Sequence, residues 1–99
     1  MTTEQKRDGS SLIVFVEGKV DTVTAPDLQK ELDESLDGVT ALTLDISNLS
    51  YISSAGLRVL LATHKKMVGC GGNMKIKGAN ETVMEIFDMT GFSDILNIE

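Results

Sequence analysis

Three strand-like segments alternate with three helix-like segments along this chain. The strand-like segments cover residues 12–16, 40–46 and 73–78, and each is followed by a stretch with helical periodicity. Helices that connect successive strands favour parallel pairing of those strands, with the helices packed on the sheet. The order of segments therefore predicts an α/β fold with a mixed, mostly parallel sheet.

The first helix is expected after the strand at residues 12–16. Thr24 and Asp27 have the spacing of a capping box built with the shorter acid, and Pro26 suits a first helical turn. Gly38 is expected to end the helix. Its buried face has an i, i+4, i+8 spacing and consists of Leu28, Leu32 and Leu36.

The second helix is expected to run from Ser54 to about Val68, directly after the strand at residues 40–46 and a polar exit. Its predicted buried stripe contains four residues, which are Leu57, Leu60, Leu61 and Val68. The glycine-rich segment 69–72 then follows a helix and precedes a strand, whereas a phosphate-binding loop has the opposite order. We interpret this segment as a helix stop and connector.

Asn80 is expected to cap a third helix that ends at Gly91. The face predicted for this helix consists of Val83, Ile86, Phe87 and Thr90. An apolar tail or short strand follows, and residues 1–11 form a polar N-terminal edge segment with a turn at Asp8 and Gly9. Residues 1–99 are thus predicted to be one domain, with about four strands, a possible fifth, and about four helices.

The charge and composition exclude several classes of partner. Nine Lys and Arg residues stand against fifteen Asp and Glu residues, so the net charge is −6. This balance disfavours nucleic acid, and no basic stripe with interleaved aromatic residues is present. The single cysteine, Cys70, has no partner for an internal disulfide. No apolar run has the length of a signal core or a membrane span, so we expect a cytoplasmic protein without a membrane partner.

Catalysis by Ser54 is a poor hypothesis, because a nucleophilic serine needs a general base within hydrogen-bond reach. The only histidine, His64, lies ten residues further along the same predicted helix. That spacing corresponds to roughly 15 Å at 1.5 Å per residue. His64 and Cys70 also fall short of a zinc ligand set. The sequence therefore favours no catalytic residue, no metal and no cofactor.

Ser53 and Ser54 lie where the second helix is expected to begin. One of them would be the N-cap, which typically contributes ~1 kcal/mol. The same position tolerates a phosphate well, because free backbone N–H groups at a helix start favour negative charge. Local physics therefore supports both a structural cap and a phosphorylation site, and it does not choose between the two serines.

The ordered set of motifs resembles the STAS-domain anti-sigma factor antagonists, also called anti-anti-sigma factors. The segment 49–57, Leu-Ser-Tyr-Ile-Ser-Ser-Ala-Gly-Leu, resembles the signature of that family. Residues 18–26, 44–47 and 87–92 resemble three further family segments in the same order and spacing. The resemblance covers nearly the whole chain. Each motif alone is weakly specific, and the ordered set is strongly specific.

The resemblance implies a protein that switches partners and is not an enzyme. In its unphosphorylated form it would bind an anti-sigma factor that is also a serine-protein kinase, and so release a sigma factor. Phosphorylation at the family's acceptor position, which corresponds to Ser54, would separate the complex, and a PP2C-type phosphatase would reset it. By the same resemblance, the partner-binding residues would be Asp21, Thr22, Thr24, Ser53, Ser54, Gly56, Leu57 and Arg58.

The sequence departs from the family pattern at two positions next to the acceptor. Ser53 occupies the place of an acid, and Ala55 replaces a second hydroxyl residue. Ser53 is therefore a competing acceptor. The alternative hypothesis is a constitutive STAS interaction module or scaffold within a larger bacterial signalling assembly. In either case we expect a monomer or a weak dimer.

Overall fold

The computed structural model describes residues 1–99 as a five-stranded sheet with three α-helices. The strands are β1 (Thr2–Asp8), β2 (Ser11–Val20), β3 (Ala41–Ile52), β4 (Asn73–Lys77) and β5 (Asn97–Ile98). The helices are α1 (Ala25–Ser35), α2 (Ser54–Gly69) and α3 (Glu81–Thr90). The predicted α/β architecture is confirmed, including the possible fifth strand. The expectation of about four helices was too high, because Phe92–Asp94 forms only one 3-10 turn.

The strands lie in the sheet in the order in which they occur in the chain. β1 pairs antiparallel with β2, and the other three neighbouring pairs are parallel. A turn at Gly9 and Ser10 joins β1 to β2, and Gly9 has a φ of +61°. A positive φ is readily adopted only by glycine, which explains this residue at the turn. The polar N-terminal segment is thus an edge strand.

The hydrophobic core lies on one face of the sheet. Alternate residues of the three central strands are buried, including Leu12, Val14, Leu42, Leu44 and Ile76. They form one cluster with the inner faces of α1, α2 and α3. Right-handed connections between parallel strands that advance in one direction place every helix on the same side. The opposite face has no helix on it, and its side chains, such as Ile13 and Phe15, are half-buried.

The buried stripe of α2 differs from the predicted one. Leu57 and Leu60 are buried as expected, but Leu61 is half-buried and Val68 is 58% exposed. The inner line of the helix continues instead through Thr63 and Met67, which are buried. Thr63 fits there because its hydroxyl donates to the Val59 carbonyl at 2.8 Å. The apolar pattern predicted the wrong stripe because the observed buried stripe contains a polar residue, Thr63.

α3 begins and ends where the sequence predicted. The Val83 N–H donates to Asn80 Oδ1 at 2.8 Å, and Gly91 adopts a left-handed conformation with a φ of +78°. Val83 and Phe87 are fully buried, and Ile86 is partly buried. Thr90 is exposed, so its predicted place on the inner face was wrong. None of the three helices combines the length and the apolar character needed to cross a bilayer.

Candidate functional site

The carboxyl ends of β2 and β3 bring the loop after β2 close to the start of α2. Val20 and Ile52 are paired at the ends of these strands, and the Ser53 N–H donates to the Val20 carbonyl at 2.8 Å. Residues 21–24 and the two serines therefore lie together at the carboxyl ends of β2 and β3. The structure thus brings this loop next to the start of α2.

Ser53 is the N-cap of α2. Its backbone is extended, and its Oγ accepts a hydrogen bond from the Gly56 N–H at 3.3 Å. One of the free N–H groups at the helix start is thereby satisfied. The Ser53 side chain is half-buried. The hydroxyl of Ser53 is therefore already engaged in holding the helix start.

Ser54 is the first residue of α2, and its side chain is exposed. Its hydroxyl forms no hydrogen bond with another group of the protein, in contrast to that of Ser53. The positive end of the helix dipole lies at this position, and α2 has no acid in its first turn. An added negative charge on Ser54 would therefore meet a favourable field and no carboxylate in that turn.

Gly56 and Leu57 are buried beneath the two serines. A Cβ atom on Gly56 would lie 2.6 Å from Ile52 Cγ1 and 2.8 Å from Val20 Cγ1, so only glycine fits without a shift. Leu57 is 5% exposed and belongs to the core cluster. Both residues hold the helix start against the ends of β2 and β3, and their side-chain positions do not face solvent.

Asp21 and Thr24 form a reciprocal pair of hydrogen bonds before α1. The Thr24 N–H donates to Asp21 Oδ1 at 3.0 Å, and the Asp21 N–H donates to Thr24 Oγ1 at 2.9 Å. These reciprocal bonds have the pattern of a capping box, but they lie in the turn that precedes α1, whose N-cap residue is Thr24. The predicted box between Thr24 and Asp27 was wrong, since Thr24 makes no side-chain cap for α1. Sequence spacing did not separate the two because Asp21 and Thr24 also stand three residues apart.

The hydrogen bonds to Asp21 lower the pKa of its carboxyl group. The largest cause is the bond from the Thr24 backbone N–H, and the Val23 N–H and the Thr24 hydroxyl contribute as well. Donors to the ionised form stabilise the carboxylate. The Asp21 carboxylate is therefore held as an anion that rigidifies the loop, while Thr22 and Val23 remain exposed at its tip.

Arg58 lies on α2 one turn after Ser54 and borders an open groove between α1 and α2. The groove has a volume of about 450 Å³, and its other lining residues are Thr22, Ala25, Pro26, Gln29, Ala55, Val59 and Ala62. Arg58 is exposed and has no carboxylate within 4.0 Å. The groove thus combines a small apolar floor with one free cation.

Several of these groove residues were not among those predicted. The signal that could have identified them is the spacing of small residues, because Ala55 and Ala62 stand seven apart on the side of α2 that faces α1. Small side chains at that spacing do not fill the space between two neighbouring helices, so a groove remains there. The pattern was not distinctive in the sequence, since alanine is also a common helix former.

The arrangement around Ser54 offers no nucleophilic chemistry. His64 belongs to the same helix as Ser54, so the two are separated by roughly 15 Å at 1.5 Å per residue. The Nδ1 atom of His64 is buried and makes no hydrogen bond. No group of three or more His, Cys, Asp or Glu residues could hold a metal ion. What the site offers is a surface: an exposed hydroxyl, a rigid loop, a groove and a cation.

Comparison with known proteins matches the chain as a whole to a described domain family. A family model described as the STAS domain matches residues 2–99. The "Anti-sigma-B factor antagonist" of Bacillus subtilis (strain 168) is 29% identical over 98 residues, which cover 99% of this chain and 90% of that protein. The name of that relative describes a regulatory binding protein and not an enzyme.

Solved structures agree with this match. An anti-sigma factor antagonist from Mycobacterium paratuberculosis superposes with a TM-score of 0.87 at 26% identity, covering 98% of this chain and 83% of that one. The anti-sigma factor antagonist SpoIIAA in its unphosphorylated form gives a TM-score of 0.86 at 14% identity, covering 99% of this chain and 88% of that one. At that low identity, SpoIIAA demonstrates the shared fold.

Proposed function

Because this chain belongs to the STAS domain family, we propose that it is an anti-sigma factor antagonist. In this proposal the unphosphorylated chain binds an anti-sigma factor and thereby frees a sigma factor in the cytoplasm. The anti-sigma factor is also the serine kinase that phosphorylates the chain, and a PP2C-type phosphatase reverses the modification. The observation that carries the proposal is the exposed, unbonded Ser54 hydroxyl at the start of α2, within a chain whose relatives bear this name.

Ser54 is proposed as the phosphoacceptor in preference to Ser53. A kinase needs an accessible hydroxyl, and the Ser54 side chain is exposed whereas that of Ser53 is half-buried. The Ser53 oxygen also accepts the Gly56 N–H, so a phosphate ester there would disturb the cap. An N-cap typically contributes ~1 kcal/mol to stability, and phosphorylation of Ser53 would weaken this contribution. Phosphorylation of Ser54 leaves that cap in place.

A phosphate on Ser54 is expected to act on the partner and to leave the fold intact. It would add about −1.5 to −2 charges at the positive end of a helix dipole, where it is tolerated. SpoIIAA in its phosphorylated form still superposes on this chain, with a TM-score of 0.77 at 13% identity. The modification would therefore block a closely packed partner by bulk and charge.

The proposed docking surface contains the exposed residues around Ser54. They are Thr22 at the tip of the loop, Ser54 itself and Arg58 at the edge of the groove. Asp21, Thr24, Ser53, Gly56 and Leu57 support that surface from within, because they form the loop hydrogen bonds, the helix cap and the buried packing. We propose that the groove between α1 and α2 receives an apolar side chain of the anti-sigma factor.

The test is incubation of the purified chain with ATP and an anti-sigma factor kinase from the same genome, followed by intact-mass analysis and site mapping. We expect the wild-type chain to gain one phosphate on Ser54. Ser54→Ala should remain unmodified and keep its affinity for the kinase. Ser54→Asp should bind more weakly, since it places a negative charge where the partner docks.

Ser53→Ala is the matched control for this experiment. It should still accept phosphate on Ser54, although the lost cap should lower the free energy of unfolding by ~1 kcal/mol. Labelling of Ser53 in the wild-type chain would refute the assignment of the acceptor. If the kinase labelled neither serine but still bound the chain, the switch would be refuted and a constitutive interaction module would be the correct description.

A further inference from the structure

The three helices of this acidic protein differ in charge. α2 carries Arg58, Lys65 and Lys66 and no Asp or Glu, whereas α3 carries three acids and no Lys or Arg. α1 has four acids and one lysine, Lys30. The whole chain has a net charge of −6. α2 is therefore the only helix that would attract an acidic surface, and its neighbours would repel one.

The outward line of α2 begins at the proposed phosphoacceptor. Residues that alternate four and three positions apart share one face of a helix. On α2 this line, which we name the α2 ridge, consists of Ser54, Arg58, Leu61, Lys65 and Val68. It extends about 21 Å at 1.5 Å per residue. The ridge contains two of the apolar residues that the sequence pattern had assigned to the core.

The α2 ridge combines apolar surface with uncompensated positive charge. Val68 is 58% exposed and Leu61 is half-buried, so both present apolar atoms to solvent. Arg58 and Lys65 are exposed and have no carboxylate within 4.0 Å. Lys66, by contrast, lies off the ridge and pairs with Asp33 of α1 at 3.4 Å. The two ridge cations are thus free for an external partner.

We propose that the α2 ridge extends the docking surface and binds a strip of acidic and apolar side chains on the anti-sigma factor. This inference rests on the proposed function, since it identifies the chemistry of that partner's surface. Complementary charge directs such an encounter and disfavours other orientations. An acidic partner approaching α1 or α3 would meet like charge, so the charge distribution selects α2. The apolar residues then bury surface that the free chain leaves in water.

The ridge also gives phosphorylation an electrostatic effect on binding. Ser54 is the first residue of the ridge, and Arg58 follows one turn later. A phosphate adds about −1.5 to −2 charges there, which offsets the two ridge cations. The phosphorylated ridge is close to neutral and no longer attracts an acidic strip. The lost electrostatic attraction along α2 thereby weakens binding in addition to the steric effect of the phosphate on Ser54.

The decisive comparison is between Lys65→Glu on the ridge and Lys30→Glu on α1. Both lysines are exposed helix residues, and both variants change the net charge equally. Affinity for the purified anti-sigma factor that binds the wild-type chain should fall about tenfold with Lys65→Glu and less than about twofold with Lys30→Glu. The difference should shrink at high salt, because exposed charges are screened. Isothermal titration calorimetry at two salt concentrations measures both effects.

The apolar part of the ridge has its own pair of variants. Val68→Ser should weaken binding about threefold or more, since the lost methyl groups no longer bury surface at the interface. Met89→Ser is the control, because Met89 is 86% exposed and lies on α3 away from the ridge. Its affinity should equal that of the wild-type chain. Circular dichroism of each variant verifies that the fold is retained.

The outcomes separate this inference from the proposed function. If an anti-sigma factor binds the wild-type chain but Lys65→Glu weakens binding no more than Lys30→Glu, the ridge is not a docking surface and the proposed function stands. Equal affinities of Val68→Ser and Met89→Ser would likewise show that the apolar residues of the ridge do not contribute to binding. If no anti-sigma factor of the genome binds the wild-type chain, the proposed function fails and the inference fails with it.

Discussion

Ser53 and Gly56 together determine where the Ser54 hydroxyl stands. Ser53 caps the helix, and Gly56 lets the first turn of α2 approach Val20 and Ile52 more closely than any other residue would allow. The Ser54 side chain, between them in the chain, is directed away from these contacts and is exposed. The exposure of one serine therefore depends on two neighbours that are themselves partly or fully buried.

Gly56→Ala should lower the free energy of unfolding by about 1–3 kcal/mol, because its Cβ would overlap two packed side chains. Gly69→Ala is the matched control on the same helix, since a Cβ there meets nothing within 4 Å. That change should stabilise the chain by about 0.4–1 kcal/mol. Urea denaturation of both variants measures the difference. Equal stabilities would show that Gly56 has room for a methyl group.

At the residue scale, the sequence predicted that a serine near position 53 would cap α2 but did not identify which one. The two candidates are adjacent and chemically identical, so only the backbone path distinguishes them. Val68 was assigned to the core because it is apolar and spaced correctly from Leu61, yet both lie on the outward side of the helix. Burial depends on which line of helix residues contacts the sheet. The apolar pattern did not identify that line on α2 because it includes Thr63.

At the scale of elements, the loop between β2 and α1 is stabilised by the ionised form of Asp21. The folded chain supplies N–H donors from Val23 and Thr24 that the unfolded chain lacks, so the pKa of Asp21 is lower in the folded state. The unfolded state then binds more protons in the interval between the two pKa values. The stabilisation is fully present above the unfolded pKa and is lost as the pH falls through the folded pKa.

Asp21→Asn provides the test of this linkage. The amide oxygen can still accept the two backbone N–H bonds, but the side chain no longer ionises. The difference in melting temperature between the wild-type chain and the variant should therefore be largest near neutral pH and shrink as the pH falls from about 5 to 2. Parallel curves over that range would contradict the role of the Asp21 charge. Asp45, whose pKa is also lowered, is present in both proteins and does not affect the comparison.

The elements themselves were predictable where local patterns were complete. α3 has an asparagine cap, an inner face and a glycine stop in the sequence, and its ends were found. The capping box before α1 was misplaced because one threonine is three residues from an acid on each side. β1 is polar along its whole length, so its strand structure comes from pairing with β2 rather than from an apolar pattern. Such pairing is a tertiary effect that local residue preferences do not encode.

On the scale of the whole molecule, the sheet separates a packed side from an open side. The helices and the core cluster occupy one face, and the other face is lined by half-buried residues such as Ile13 and Phe15. Lys6 lies over the Phe15 ring at 5.8 Å, which partly covers that aromatic side chain. The alternation of segments predicted the parallel sheet, but the number of strands depended on a β5 of only two residues.

A pair of truncations measures this asymmetry. Leu44→Ala should lower the free energy of unfolding by about 2–5 kcal/mol, since Leu44 is 0% exposed in the central strand and leaves a cavity. Ile13→Ala on the open face should cost clearly less, because water can occupy the space that the smaller side chain leaves. Chemical denaturation of both variants provides the comparison. A similar loss at both positions would mean that the open face is covered in solution.

The capped and tightly packed start of α2 has a consequence for the rate at which the proposed switch responds. The proposed acceptor hydroxyl of Ser54 and the α2 ridge lie on one continuous helix, so the proposed switch needs no hinge, lid or refolding step between them. Rearrangements of that kind take microseconds to milliseconds or longer. In the proposed switch, the response of this surface would be complete as soon as the phosphoryl group is attached or removed. Its rate would therefore be set by the proposed kinase and phosphatase, and not by the relaxation of this chain.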